Sequence, residues 1–134
     1  MICVASAGND GEQNPSIFPA GYLSEVIGVA STNNQDIRST FSNYGSGLVD
    51  VAAPGEGDVT LYPGNNYAEG WGTSFSAPLA AGGAALLVQL GRHINEAQAA
   101  QAISQAIPTG QGLGAGEFDL FQACLYTILH GGSR

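Results

Sequence analysis

The chain carries little charge, and nearly all of it has one sign. Only 3 Lys or Arg stand against 11 Asp or Glu in 134 residues, for a formal net charge of −8, and charged residues make up 10% of the sequence. So few cations cannot neutralise a run of phosphates, and the net charge repels polyanions, so no nucleic-acid partner is expected. Cysteine is as scarce. Cys3 and Cys124 sit in apolar surroundings outside any CxxC-type spacing, which argues against a metal centre and leaves two ordinary buried thiols. The opening "MICVASAGNDG" lacks the basic and long apolar regions of a signal peptide. The longest apolar stretch, Phe75 to Leu90, is broken by Ser76, Pro78, Gly82 and Gly83 and is short for a bilayer, so no membrane partner is expected. No glycine-rich phosphate loop stands between a strand and a helix, which removes a nucleotide-binding α/β domain. Linkers, repeats and low-complexity runs are missing too, so residues 1–134 read as one domain.

What is present is apolar and finely punctuated. Hydrophobic residues make up 44% of the chain, and 20 glycines divide them. "ICVASAG", "EVIGVAS" (Glu25 to Ser31) and "GLVDVAAPG" (Gly47 to Gly55) are runs of small or branched apolar residues that end in turn formers. They read as strands of a parallel sheet buried on both faces and needing cover on both. The segments between them are polar, rich in Asn and Gly, and suited to carry function on a rigid sheet. "VTLYPGNNYAEGWG" reads as a hairpin turning at Pro63, Gly64 and Asn65.

Helices follow. "TSFSAPLAAGGAALLVQL" is apolar nearly all round, which predicts a central buried helix with Pro78 in its first turn. Asn95 and Gln98 form a capping-box pattern, after which Ala99, Ala102, Ile103, Ala106 and Ile107 share one helical face. Asp119 and Gln122 repeat the cap before "LFQACLYTIL", and residues 126–134 read as a flexible tail.

Ser74 stands at the mouth of the apolar helix. The ordinary role of a serine there is to cap the helix. A helix N-terminus also offers unpaired N–H groups and partial positive charge. At the end of the first strand, Asn9 in "ASAGNDG" reads as a turn former.

The stretch Gly72-Thr73-Ser74-Phe75-Ser76-Ala77-Pro78 resembles the G-T-S-x-[SA]-x-P nucleophile motif of the subtilisin-like serine proteases, and "ASAGNDG" resembles their A-A-G-N-x-G element. "DVAAPG", Asp50 to Gly55, and the closing "GLGAGEFDLFQA" match further elements in the family's order. The resemblance runs from about Ile2 to Leu125 and corresponds to the C-terminal half of the catalytic domain. It implies an α/β fold, a mostly parallel sheet with flanking helices, as a partial subtilisin-like fold. It implies a serine endopeptidase in which Ser74 is the nucleophile and Asn9 completes the oxyanion hole. Ala5, Ser6, Ala7 and Gly8 would wall the substrate pocket, facing a segment near Ile17, Phe18 and Pro19, with Thr73 also at the substrate. The implied partner is a polypeptide and the implied location extracellular, with no cofactor required. A weak structural calcium would involve Asp50 with the carbonyls of Ala20 and Tyr22.

The family's D-[ST]-G and H-G-T-H elements, which supply the Asp and the His base ahead of the serine, do not occur in the chain. Its two histidines, His93 and His130, both follow Ser74 and suit a solvated turn and a tail. The chain alone is therefore expected to be inactive and to need the missing N-terminal half of the domain as partner. The alternative is a non-catalytic remnant that acts as a binding or interaction module.

Overall fold

The computed structural model describes residues 1–22, 24–91 and 93–130. Three short strands, β1 (Val4–Ser6), β2 (Ile27–Thr32) and β3 (Val51–Pro54), form a parallel sheet in that order, with Val4 opposite Ile27 and Val29 opposite Val51. Side chains alternate across the pleat, and the two faces of the sheet enter two separate cores. Ile27, Val29, Val51 and Ala53 point to one side, where they pack against Ala80, Ala84 and Leu87. Those three belong to helix α1 (Thr73–Leu90), and α2 (Glu96–Ile103) and α3 (Leu120–His130) close the same core through Ala102, Ile103 and Ala123. Ala5, Ala30 and Ala52 point to the other side, where Ala20, Leu48, Val49 and Leu113 cover them from loops. Both faces are covered, as two-sided apolar strands require, but among the described residues the helices lie on one face and loops on the other.

An antiparallel hairpin, β4 (Glu56–Tyr62) and β5 (Asn66–Trp71), turns through Pro63 to Asn65 and delivers the chain to α1. Helix α1 spans the apolar run read from the sequence, yet only Thr73, Ser76, Ala80, Gly83, Ala84 and Leu87 along it are buried. By length and apolarity alone it matches a membrane-crossing helix. Its buried side, however, packs on all three strands of the parallel sheet, the position of a core helix.

Three expectations need correction. Pro78 lies beyond the first turn of α1, where its missing N–H leaves the Ser74 carbonyl without its helical donor. Helix α2 stops at Ile103, and Ile107 does not share its face: it leaves to pair with Glu117, each N–H reaching the other's carbonyl at 2.8 Å. Residues 126–130, read as part of a tail, continue α3. Thr127 is buried and bonds the Ala123 carbonyl, and His130 stacks on Tyr126 with ring centroids 4.3 Å apart. The remainder of that tail, residues 131–134, lies outside the described residues.

Both sequence-read caps are present. Asn95 and Gln98 close a reciprocal capping box at α2, and the Gln122 N–H donates to Asp119 at the start of α3. Cys3 and Cys124 are free thiols, each partly buried.

Candidate active site

The first residues of α1 meet the loop that follows β1. Gly72 caps the helix without a side chain, at φ 146°, a conformation that disfavours any residue with a Cβ. A Cβ there would also stand 3.4 Å from Asn9 Nδ2. The cap that Gly72 cannot supply comes from across the fold. Asn9 Oδ1 accepts from the Thr73 N–H and from the Thr73 hydroxyl, both at 2.9 Å. The same hydroxyl oxygen accepts from the Gly8 N–H at 3.2 Å.

This arrangement fixes which end of the Asn9 amide does what. With Oδ1 held by two donors of Thr73, Nδ2 is the end left for a ligand, and a neutral amide donor keeps that role at any pH. The next N–H along α1, that of Ser74, has no partner within its helix, whereas the Phe75 N–H is taken by the Gly72 carbonyl at 2.9 Å. Ser74 itself is exposed. Among the described residues no side chain bonds its hydroxyl. The mouth of α1 thus presents one hydroxyl, one amide N–H₂, one unpaired backbone N–H and the positive end of an 18-residue helix.

The remaining candidates divide by exposure. Ala5 and Ser6 line an open groove of about 530 Å³ together with Ser74, Ala77 and Pro78. Ala7 is fully buried in the loop-covered core, and Ile17 packs against that core from its edge, so the Ala7 side chain offers a substrate no surface. Gly8 is half-buried beside them. Phe18 is exposed and leans on Tyr22 with centroids 4.7 Å apart. Thr73 is also fully buried, and its N–H and hydroxyl hold Asn9 Oδ1 from behind.

Asp50 is engaged by the chain itself. Its Oδ2 accepts from the Gly28 N–H at 2.7 Å, and burial raises its carboxyl above the ordinary range, with that bond pulling in the opposite direction. The Tyr22 carbonyl accepts from Glu25 and Val26. Among the described residues no three His, Cys, Asp or Glu side chains converge as a metal site would need. Neither histidine reaches Ser74: His93 lies past the far end of α1, about 24 Å of helix away, and His130 ends α3 with Nδ1 against the Tyr126 carbonyl.

One residue at this site escaped the sequence reading. Asn43 is fully buried beneath the Asn9 loop, and no short-range signal marks it, because its partners lie more than 30 residues away.

Comparison with known proteins agrees with these observations. Residues 1–120 match the model of the subtilase family. The chain is 48% identical over 99 residues to thermitase of Thermoactinomyces vulgaris, covering 74% of this chain and 34% of that protein. It is 40% identical over 129 residues to a thermophilic serine proteinase of Bacillus sp. strain AK1, covering 93% of this chain and 31% of that one. Among solved structures, a protease of Pseudoalteromonas arctica superposes with a TM-score of 0.87 at 29% identity, and the prenylagaramide maturation protease PagA with 0.85 at 26%. Each covers 95% of this chain, which accounts for 43% and 50% of theirs. The chain therefore spans about a third of these curated relatives and about half of these solved structures. With the family's nucleophile motif at the mouth of α1 and its asparagine held against that mouth, the chain belongs to the subtilase family.

Proposed function

We propose that the intact protein is a serine endopeptidase in which this chain supplies the nucleophile and the oxyanion hole. Ser74 Oγ attacks the carbonyl carbon of a peptide bond, and the oxygen that becomes negative is held by Asn9 Nδ2 and the Ser74 N–H. Collapse of the tetrahedral species breaks the C–N bond and leaves the acyl group on Ser74, and the amine departs with a proton. Water then releases the acid and restores the hydroxyl. The proton traffic needs a base and a group to orient it. Those come from the Asp and His elements that this chain lacks, docked on the groove beside Ser74. The observation that carries the reading is the pair of hydrogen bonds that Thr73 donates to Asn9 Oδ1, which leaves Nδ2 at the α1 mouth. The substrate is a polypeptide and the site of action extracellular. No cofactor takes part, and any calcium at Asp50 is structural and weak.

The second reading, a binding module without catalysis, is favoured by the distance of both histidines from Ser74. An active-site titrant and an apolar peptide anilide separate the two. The intact protein should hydrolyse the anilide and take up one fluorophosphonate on Ser74, and Ser74→Ala should abolish both. This chain alone should show at most the residual effect of oxyanion and binding groups, about 10³–10⁴-fold over water in intact proteins of this family, a family value and not one derived from this structure. Peptide binding without hydrolysis in the intact protein selects the binding module. Hydrolysis by this chain alone at an ordinary protease rate defeats the need for an outside base.

A further inference from the structure

We infer that Asn43 is the positioning residue of the oxyanion hole, fixing the backbone on both sides of Asn9 so that its amide reaches the α1 mouth. This rests on the reading of Asn9 given above. Asn43 bonds the loop on both sides of Asn9, at Ala7, Gly8, Asp10 and Glu12. Its Nδ2 donates to the Ala7 carbonyl at 3.0 Å and, at a longer 3.4 Å, to the Asp10 carboxylate. Its Oδ1 accepts from the N–H groups of Asp10 at 3.1 Å and Glu12 at 2.9 Å, and its own N–H donates to the Gly8 carbonyl at 3.0 Å. A carboxamide donates to a carbonyl and accepts from two amides at once, and does so at any pH. The fit is close. Gly8 stands at φ 95°, and a Cβ on it would lie 2.5 Å from Asn43 Nδ2.

Asn43 is fully buried, so it meets no substrate, and its effect passes through the loop. From the other side Thr73 holds Asn9 Oδ1. The two anchors act on different atoms. Thr73 sets the rotation of the amide, and Asn43 sets where its backbone stands. A displacement of about 1 Å is enough to cost on the order of 10²-fold in rate.

The test uses the intact protein and a peptide anilide. Asn43→Leu removes all the side-chain bonds at similar volume, and kcat should fall about 10- to 100-fold with KM changed less than about threefold. In an Asn9→Leu background the same substitution should lower kcat by less than about threefold more, because the donor it aims is already gone. Losses that multiply in full, or an effect on KM alone, overturn the assignment. Should Asn43→Leu not fold, Asn43→Asp serves. That side chain keeps both acceptor bonds but, when ionised, has no proton for Ala7 and repels the carboxylate of Asp10. Its kcat relative to the unsubstituted protein should recover as pH falls and the new carboxylate takes up a proton, and a ratio independent of pH overturns the assignment. An intact protein without peptidase activity sinks the reading of Asn9 and this inference with it, whereas activity with fully multiplicative losses sinks the role of Asn43 alone.

Discussion

Asn9 does two jobs with the two ends of one amide. Its oxygen caps α1 by accepting from the Thr73 N–H, and its nitrogen is the proposed donor to the oxyanion. Replacing it therefore touches both stability and rate, and the two can be separated. Loss of a helix cap costs about 0.5–2 kcal/mol. Loss of one oxyanion donor costs about 10²–10³-fold in kcat, a magnitude taken from this family and not from the present structure. In the intact protein, Asn9→Leu should thus lower the melting temperature slightly and kcat strongly, with KM nearly unchanged, because the bond strengthens chiefly in the transition state. Asn9→Asp should keep the cap through its remaining oxygens but lose the rate. If steady-state kinetics of the leucine variant gave an unchanged kcat, Asn9 would have no place at the oxyanion.

At the scale of elements, the least conventional connection is a buried acid. Glu117 joins the loop before α3 to the ends of β2 and β3: its backbone pairs with Ile107 and bridges Ala52, and its Oε2 accepts from the Thr32 hydroxyl at 2.7 Å. Among the described residues its Oε1 is buried with no partner. Burial, before all else, raises its carboxyl above the ordinary 4.5; the Thr32 bond pulls it down and the charge of Asp36 pushes it up. The folded chain then holds this proton more tightly than the unfolded one. The stability Glu117 contributes is present in full below the ordinary value and lost as pH rises through the folded one. The melting temperature of the intact protein should fall over that rise, and Glu117→Gln, which keeps an acceptor for Thr32 and carries no charge, should flatten the slope and raise the melting temperature at neutral pH. An identical slope in the variant would show that the proton on Glu117 is not linked to folding.

Elements were legible where the signal is local. The limits of α1, the Asn95 and Gln98 box and the turn at Pro63 to Asn65 all follow from neighbours a few residues apart. Glu117 and Asn43 were not legible, because each is given its role by a partner 30 or more residues away, Glu117 by Thr32 and Asn43 by Ala7 and Glu12. Nor could an all-apolar helix declare which side is covered. The pattern of α1 is equally apolar on the face that packs against the sheet and on its two flanks, Leu79 and Leu86 on one and Val88 on the other, which are exposed. For the site itself, the motifs name Ser74 and Asn9, which the fold brings to one mouth, while the burial of Thr73 in the same motif has no local signal.

The whole molecule is a contest between apolar surface and charge. Leu86, Val88 and Leu90 on α1, Phe121, Ile128 and Leu129 on α3, and Leu61, Tyr67 and Trp71 on the β4–β5 hairpin are all large and exposed. Monomers seldom carry an apolar patch above roughly 300–600 Å². One edge of the parallel sheet is also open. Residues 116 to 118 cover β3 through bonds to Ala52, but among the described residues no segment pairs with the outer side of β1. These surfaces favour association of copies, whereas a net charge of −8 opposes it. Salt decides between them, since the Debye length falls from about 10 Å at 0.1 M to about 3 Å at 1 M and removes the repulsion without weakening apolar contact. The purified chain should therefore bind a hydrophobic dye at low salt and self-associate as sodium chloride is added, with sedimentation velocity moving from small species to large ones. Acidification toward the isoelectric point near 4.2 should do the same at constant salt. A monodisperse monomer at every salt concentration, with no dye bound, would mean that these faces pack against one another in solution and that the 134 residues form a self-sufficient unit.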